Sequence, residues 1–489
     1  MDDAQSADRD DFDRRYRAVR SRDRRFDGRF VTAVRTTGIY CRPSCPAQTP
    51  RRENVCFYAV PAAAQAAGFR ACKRCRPQAA PGSPEWDARA DLTGRALRLI
   101  ADGVADEDGV AGLAARLAVS DRHLHRLLVA EVGAGPLMFA RSRRAQTART
   151  LIESTRMPFG DVAFAAGYAS IRQFNDSMRA AFGCTPSELR AGRRAELPTG
   201  SGPIVLRLAL LPPYDGDAWL RWLRGRAVPG VEEVGDSAYR RAIRLRRGVG
   251  IVELEPAADH LRMRLAVEDL RDLAAAVARC RALADLDADP VAVTEALSVD
   301  PLLRPLVTAH PGLRVPGCTD GFELASRAVL GQQVTVGGAR TLAARIVAAS
   351  GERLSTSDSA ITHAFPTADA VAAADLSGIG RTGAKITTLR ALAVAVVTGD
   401  VVLDRGADRD RTRAALLRLP GIGPWTASYV AMRALGDPDA LPASDLGLLR
   451  TSRALGGPGD APALTAHAER WRPWRSYAAQ HLWSHPSEG

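Results

Sequence analysis

Four cysteines in two close pairs limit what this chain can fold into more than any other feature: Cys41 and Cys45 in GIYCRPSC, and Cys72 and Cys75 in FRACKRC. Each pair can present two sulfurs from one tight turn, and a loop of a few tens of residues between the pairs suits one tetrahedral zinc ion held by four thiolates. Spacing alone leaves open whether such a site is a structural knuckle or a reactive centre. Cys56, Cys184, Cys280 and Cys318 are scattered and read as core positions.

The segments around the pairs, GIYCRPSC, RENVCFYAV and AAGFRACKRCRP, give residues 11 to 78 a resemblance to the N-terminal methyl-phosphotriester domain of the bacterial adaptive-response protein Ada. The resemblance implies that Cys41 is both methyl acceptor and zinc ligand, that Cys45, Cys72 and Cys75 are ligands, and that Thr37 and Arg70 contact DNA. Two basic contact positions of the family pattern carry Pro46 and Gln48 instead. A zinc-bound thiol is deprotonated, so Cys41 would be nucleophilic at neutral pH without a general base. Four thiolates around one dication carry a formal charge of minus two, and methylating Cys41 lowers it to minus one. Repair of a triester would therefore tighten DNA binding.

With 489 residues and 46% hydrophobic content, the chain has room for about three domains of roughly 150 residues, each with its own core. Its formal charge of +12 points toward a polyanionic partner. Only Lys73 and Lys385 are lysines, so part of that charge reflects an arginine-rich, alanine-rich bias. No apolar run reaches the roughly 18 residues a membrane span needs, so no membrane association and a cytoplasmic location are expected, where paired thiols are metal ligands rather than disulfides. Clusters of Pro, Gly and small polar residues near 76 to 86 and 196 to 203 mark boundaries.

Between them an internal repeat appears at an offset of 50: Ser120, Leu124, Leu128, Gly133 and Pro136 recur as Ser170, Phe174, Met178, Gly183 and Pro186. Each copy reads as a helix (Val110 to Leu117, Val162 to Ala166), a small-residue turn and a second helix capped near the serine. Two such units joined by a helix with Arg141, Arg143 and Arg144 resemble the AraC-type DNA-binding domain. That resemblance puts Arg122, His123 and Arg126, and Arg172, Gln173 and Asn175, on helices that enter the major groove.

Residues 204 to 290 alternate short strand-like runs, and the remainder reads as helical to the end. Within it, LPGIGPWTA (419 to 427) is a helix-hairpin-helix signature whose Gly421 and Gly423 let backbone N–H groups approach a phosphate. Gly378-Ile379-Gly380 reads as a plain connection. Asp445 follows Trp425 by twenty residues, the pairing of the helix-hairpin-helix glycosylases. LALLPPYD, RAVLGQQV and WRPWRSYAAQHLW extend a resemblance to the AlkA-type 3-methyladenine DNA glycosylases over residues 204 to 485. It implies Asp445 as the carboxylate that stabilises the sugar cation, Trp425, Tyr429 and Trp483 as the base pocket, no cofactor, and no lysine at the Trp425 position to form a Schiff base. Gln333 stands where the family inserts an apolar wedge, and Leu446 replaces an aromatic beside the aspartate.

The expected architecture is multidomain α+β. It comprises a four-cysteine zinc domain (1 to 80), an all-α double helix-turn-helix domain (88 to 195) and an α+β helix-hairpin-helix glycosylase (203 to 290 and 291 to 489). The expected function is sensing and repair of DNA alkylation with activation of repair genes, with double-stranded DNA and RNA polymerase as partners. The alternative is a non-enzymatic regulator whose glycosylase half only binds DNA.

Overall fold

A computed structural model describes residues 12–13, 15–22, 30–45, 47–58, 63–64, 67–72, 75, 77, 88–132, 134–191, 203–355, 358, 360–376, 379 and 383–485. Pro46, Lys73, Gly133, Gly378 and Gly380 lie outside the described residues. The described residues divide into two compact units, one within 1–94 and 129–133 and the other within 95–128 and 134–489. Among them no helix is long and apolar enough to cross a membrane.

The first unit is built on a small sheet of β1 (Val31–Val34), β2 (Ile39–Cys41), β3 (Val55–Tyr58) and β4 (Arg70–Ala71), in the order β3-β1-β2-β4. Val31, Ala33 and Tyr40 are buried on one face, and on the other Phe57, paired with buried Thr32, packs against Ala18, Val19 and Phe30, so very short strands are covered on both sides. β2 and β4 run parallel, with Ile39 opposite Arg70 and Tyr40 opposite Ala71.

The repeat read from sequence is present in the fold. α1 (Ala88–Ala101), α2 (Val104–Glu107) and α3 (Gly109–Arg116) lead into α4 (Asp121–Val132), followed by α5 (Pro136–Ser154), α6 (Phe159–Ala165), α7 (Ile171–Phe182) and α8 (Pro186–Ala191). α4 and α7 each begin one residue after the repeat serine, whose hydroxyl accepts the third N–H beyond it, from His123 and from Gln173, at 3.2 Å. Leu124, Leu128, Phe174 and Met178 are buried at the repeated positions.

The five-stranded antiparallel sheet that follows has the order β5-β9-β8-β7-β6, with β5 at Ile204–Ala209, β6 at Glu232–Val234, β7 at Tyr239–Arg244, β8 at Val249–Pro256 and β9 at His260–Ala266. Alternate residues of β5 and β9 face inward, as their sequence pattern requires. One apolar cluster joins this sheet to the helix-turn-helix segment: Leu151, Ile152, Phe174 and Met178 share it with Leu206, Leu208, Leu261 and Leu283. Polar contacts reinforce the joint. Arg95 Nε donates to Gly406 O at 2.7 Å, Arg98 Nε to Arg405 O at 2.5 Å, and Glu107 pairs with Arg246 and, at 2.9 Å, with Arg247.

Among the described residues the rest is mainly helical, and sequence reading missed the short antiparallel pairing of Glu352–Arg353 with His363–Ala364. Of the four cysteines assigned to the core, Cys280 alone is fully buried; Cys56, Cys184 and Cys318 are partly exposed. Arg143 and Arg144 turn inward to Asp106, leaving Arg141 exposed on the linking helix.

Candidate functional sites

The parallel pairing of β2 with β4 brings the two cysteine pairs together. Cys41 ends β2, Cys72 directly follows β4, and the Cys72 N–H donates to Tyr40 O at 3.0 Å. A turn closed by Cys45 N–H on Arg42 O at 3.1 Å returns Cys45 to the same place. The four sulfurs of Cys41, Cys45, Cys72 and Cys75 lie within 4.8 Å of one another. Tetrahedral coordination at about 2.3 Å per sulfur separates sulfurs by roughly 3.8 Å, so the cluster matches a zinc site with four ligands.

The donor set also fits a cation chemically. Hydrogen bonds from Cys41 and Cys75 hold Cys45 as a thiolate, down to about 2. Hydrogen bonding with Cys45 and Cys75, then burial, holds the Cys41 thiol far above its usual range. The sulfurs thus compete for one another's protons, and an added dication is what lets all four be anionic together. Cys45, Cys72 and Cys75 are buried, whereas Cys41 keeps an exposed face. The Arg70 N–H donates to Gly38 O at 2.8 Å, which sets exposed Arg70 beside the turn that carries exposed Thr37.

On α4 and α7, Arg122, His123, Arg126, Arg172 and Gln173 are exposed opposite the buried repeat residues, and Asn175 is half-buried. Gln173 is partly engaged, because its amide oxygen accepts the Ala169 N–H at 3.2 Å.

In the helical region, Gly421 turns the hairpin at φ 77. A Cβ there would sit 2.1 Å from Thr388 Oγ1, so both conformation and space call for glycine. Gly423 caps the helix Pro424–Arg433, which carries Trp425 and Tyr429. Asp445 caps the helix Leu446–Ala454 and accepts the Leu448 N–H at 3.0 Å. Its carboxylate also accepts the indole N–H of Trp425 at 2.8 Å on Oδ2 and that of Trp483 at 2.9 Å on Oδ1. Trp425 and Tyr429 are stacked at 5.3 Å between centroids, and Trp483 meets Tyr429 edge-on at 6.0 Å. The structure brings all four residues into mutual contact.

Sequence reading missed several neighbours. Trp222 packs against Trp483 at 5.7 Å, and Arg226 lies 3.4 Å from the Trp222 ring centroid. Arg433 Nη1 donates to the Tyr429 hydroxyl at 2.6 Å. Gly447 keeps the carboxylate open, since a Cβ there would sit 3.0 Å from Asp445 Oδ1. Leu446 is 67% exposed and offers the pocket no aromatic surface. Exposed Gln333 adopts the left-handed conformation, at φ 54. Its loop is pinned on both sides: Lys385 Nζ donates to Leu330 O and Gln332 O at 3.0 and 2.6 Å, and Gln332 Nε2 donates to Gly421 O and Thr426 Oγ1, both at 2.9 Å.

The fold of residues from about 204 onward is that of a helix-hairpin-helix DNA glycosylase. Over 57% of this chain and 96% of its own length, a 3-methyladenine DNA glycosylase from Archaeoglobus fulgidus shares that fold, with a TM-score of 0.51 and 23% identity. Three family profiles match in succession: the metal binding domain of Ada at 14–78, a helix-turn-helix domain at 113–192 and the AlkA N-terminal domain at 205–320. The DNA-3-methyladenine glycosylase 2 of Escherichia coli K12 is 38% identical over 280 residues, 56% of this chain and 94% of that protein. Over 478 residues the chain is 55% identical to the probable bifunctional transcriptional activator/DNA repair enzyme AlkA of Mycobacterium tuberculosis, covering 97% of this chain and 96% of that one. The chain belongs to that family, in which an Ada zinc domain, an AraC-type helix-turn-helix domain and an AlkA glycosylase are joined.

Proposed function

We propose that this chain repairs alkylated DNA by two separate reactions and uses the first as a transcriptional signal. At the N-terminal cluster, the Cys41 sulfur attacks the methyl carbon of a phosphate methyl triester. The methyl–oxygen bond breaks, its electrons stay on the phosphate oxygen, and Cys41 ends as a neutral thioether. Zinc, held by Cys41, Cys45, Cys72 and Cys75, supplies the charge that keeps the sulfurs deprotonated. The exposure of Cys41 beside three buried partners supports its role as acceptor. Thr37 and Arg70 are exposed, with Arg70 held by its N–H beside the turn that carries Thr37, and are suited to hold the DNA backbone. Loss of one negative charge then strengthens DNA binding through Arg122, Arg126, Arg172 and Gln173, and RNA polymerase is the partner of the activated form.

At the second site, a flipped cationic purine stacks among Trp425, Tyr429 and Trp483. A base that already carries positive charge leaves without a general acid. The glycosidic electrons go to the departing base, which leaves neutral; Asp445 stabilises the sugar cation, and water adds at C1′ and releases its proton to solvent. Gly421 and Gly423 present backbone N–H groups to a phosphate, and Gln333 enters the duplex at the vacated position. The single observation that carries this reading is the Asp445 carboxylate held by two indole N–H groups beside a stacked aromatic wall.

The test is incubation of the full chain with methylated DNA. It should release 3-methyladenine, leave an uncut abasic strand, and give no complex trapped by borohydride, because no amine stands at the Trp425 position. Absence of base release would leave a glycosylase half that only binds DNA.

A further inference from the structure

The loop that carries Gln333 is exposed and strained at its tip and tied down on every side of it. Gln333, Val334 and Val336 are exposed, and Gln333 holds a left-handed φ of 54, which a residue with a Cβ keeps only where its surroundings impose it. Beyond the tip, Thr335 caps the helix Val336–Ser350 by accepting the Gly338 N–H at 3.2 Å. Before it, Gln332 commits both hydrogens of its side-chain amide, to Gly421 O and Thr426 Oγ1, each at 2.9 Å. Lys385 holds the remaining side. Its Nζ donates to Leu330 O at 3.0 Å and to Gln332 O at 2.6 Å, so one ammonium caps the C-terminal end of the helix Gly321–Leu330 and fixes the residue next to Gln333. Among the described residues no carboxylate pairs with Lys385. Thr388 follows one turn later on the same helix, Gly383–Val397, and it is the residue that a Cβ at Gly421 would strike. One turn of helix therefore braces the tip through Lys385 and the hairpin through Thr388, while Gln332 joins tip to hairpin directly.

We propose that Lys385 is a positioning residue for base flipping: with Gln332 it locks the Gln333 tip to the Gly421–Gly423 hairpin, so that gripping the DNA backbone and filling the vacated base position occur as one step. The inference rests on reading Gln333 as the residue that enters the duplex beside the Asp445 site. The lock works by removing an ordering cost. A loose tip has to be fixed at each encounter with DNA, and that loss of backbone freedom is subtracted from the energy available for flipping. A tip already fixed in the free protein meets the duplex without it. Gln332 is held too firmly to enter DNA itself, since its amide hydrogens and its carbonyl are all engaged. Lys385 acts through Gln333 and leaves the bond-breaking step to Asp445.

The test uses the full chain on an Asp445→Asn background, which keeps bound DNA intact, and a duplex with 3-methyladenine beside 2-aminopurine, whose fluorescence rises when its neighbour leaves the stack. Titration should show brightening and a preference for this duplex over the same duplex without the lesion. Lys385→Met, which keeps the stem and loses the donors, should lower that preference about tenfold, or about 1.4 kcal/mol, the scale of ordering one backbone residue. Lys385→Arg, which keeps donors for both carbonyls, should restore it. Gln332→Met should reproduce the loss without changing any charge; if it does not, Lys385 acts as a charge toward phosphate and the proposal is overturned. On a further Gln333→Ala background Lys385→Met should add no loss, because the tip it positions is gone. A full tenfold loss there would mean that Lys385 only supports the fold, and would also overturn the proposal; this comparison decides the matter even if Lys385→Met lowers the unfolding temperature. If the duplex brightens and the protein with Asp445 intact excises 3-methyladenine while Lys385→Met changes nothing, the Lys385 inference falls alone. If nothing brightens and nothing is excised, the base-site reading falls and takes this one with it.

Discussion

The Asp445 site and the cysteine cluster both gather negative charge, but they stabilise it differently. Asp445 is one charge surrounded by donors that the fold already supplies: two indole N–H groups and the first turn of a helix. The cluster sets four sulfurs within 4.8 Å, and there the hydrogen bonds run mainly from thiol to thiol. One site is complete in its own side chains; the other needs a cation to become fourfold anionic. The comparison teaches why one protein carries both. On the proposed function, a pocket that returns to its starting state can act repeatedly, whereas a sulfur consumed by methylation would lose charge once and could serve as a signal.

Removing metal should break the comparison most visibly. Structural zinc contributes on the order of 10 kcal/mol or more to small four-cysteine domains. A chelator added to the full chain should therefore melt the N-terminal sheet, seen as lost amide protection at β1 and β2. Excision by the Asp445 pocket should survive. Simultaneous loss of both activities would contradict their independence. Cys45→Ser should mimic chelation.

Next in size is Asp445→Asn. Asparagine still caps the helix, so the fold stays while the charge goes, and the excision rate should fall by about 10²-fold or more at unchanged DNA affinity. Wild-type excision by this variant would rule out the carboxylate mechanism. Gly421→Ala is smaller. A left-handed φ and the close Thr388 hydroxyl should together cost about 2 kcal/mol or more, read as lower thermal stability and weaker DNA binding by the glycosylase, with methyl uptake at Cys41 intact. Smallest is Arg172→Ala, which should weaken promoter binding by about 1 kcal/mol and non-specific binding by less. Equal losses on both DNAs would mean that α7 contacts backbone only.

What was legible in the sequence was local. The cysteine pairs, the repeat serines with their buried partners four and eight residues on, and the GIG turn each depend on residues close in the chain, where spacing fixes geometry. Trp425 and Asp445 were readable through the resemblance to the helix-hairpin-helix glycosylases and not from spacing alone. Trp222, Arg226 and Arg433 were not, since Trp222 meets Trp483 from the far end of the glycosylase and nothing in WLRWLRGR signals its partner. The joint between the two DNA-binding parts was hidden for a related reason. An apolar face such as Leu151, Ile152 and Met178 looks the same whether it packs within its own bundle or against β5 and β9. The hairpin at Glu352–Arg353 is too short to show a period. Arg143 and Arg144 read as surface charge because their partner, Asp106, lies in a separate helix.

The most direct test of two independent chemistries in one chain is a methyl-labelled duplex carrying both triesters and alkylated purines, with released base and protein-bound methyl followed in the same reaction. Wild type should give both. Cys41→Ser should keep base release and lose the bound methyl, and Asp445→Asn should do the reverse. If either substitution abolished both products in a folded protein, or if label remained on Cys41→Ser, the account of two separate sites would be wrong.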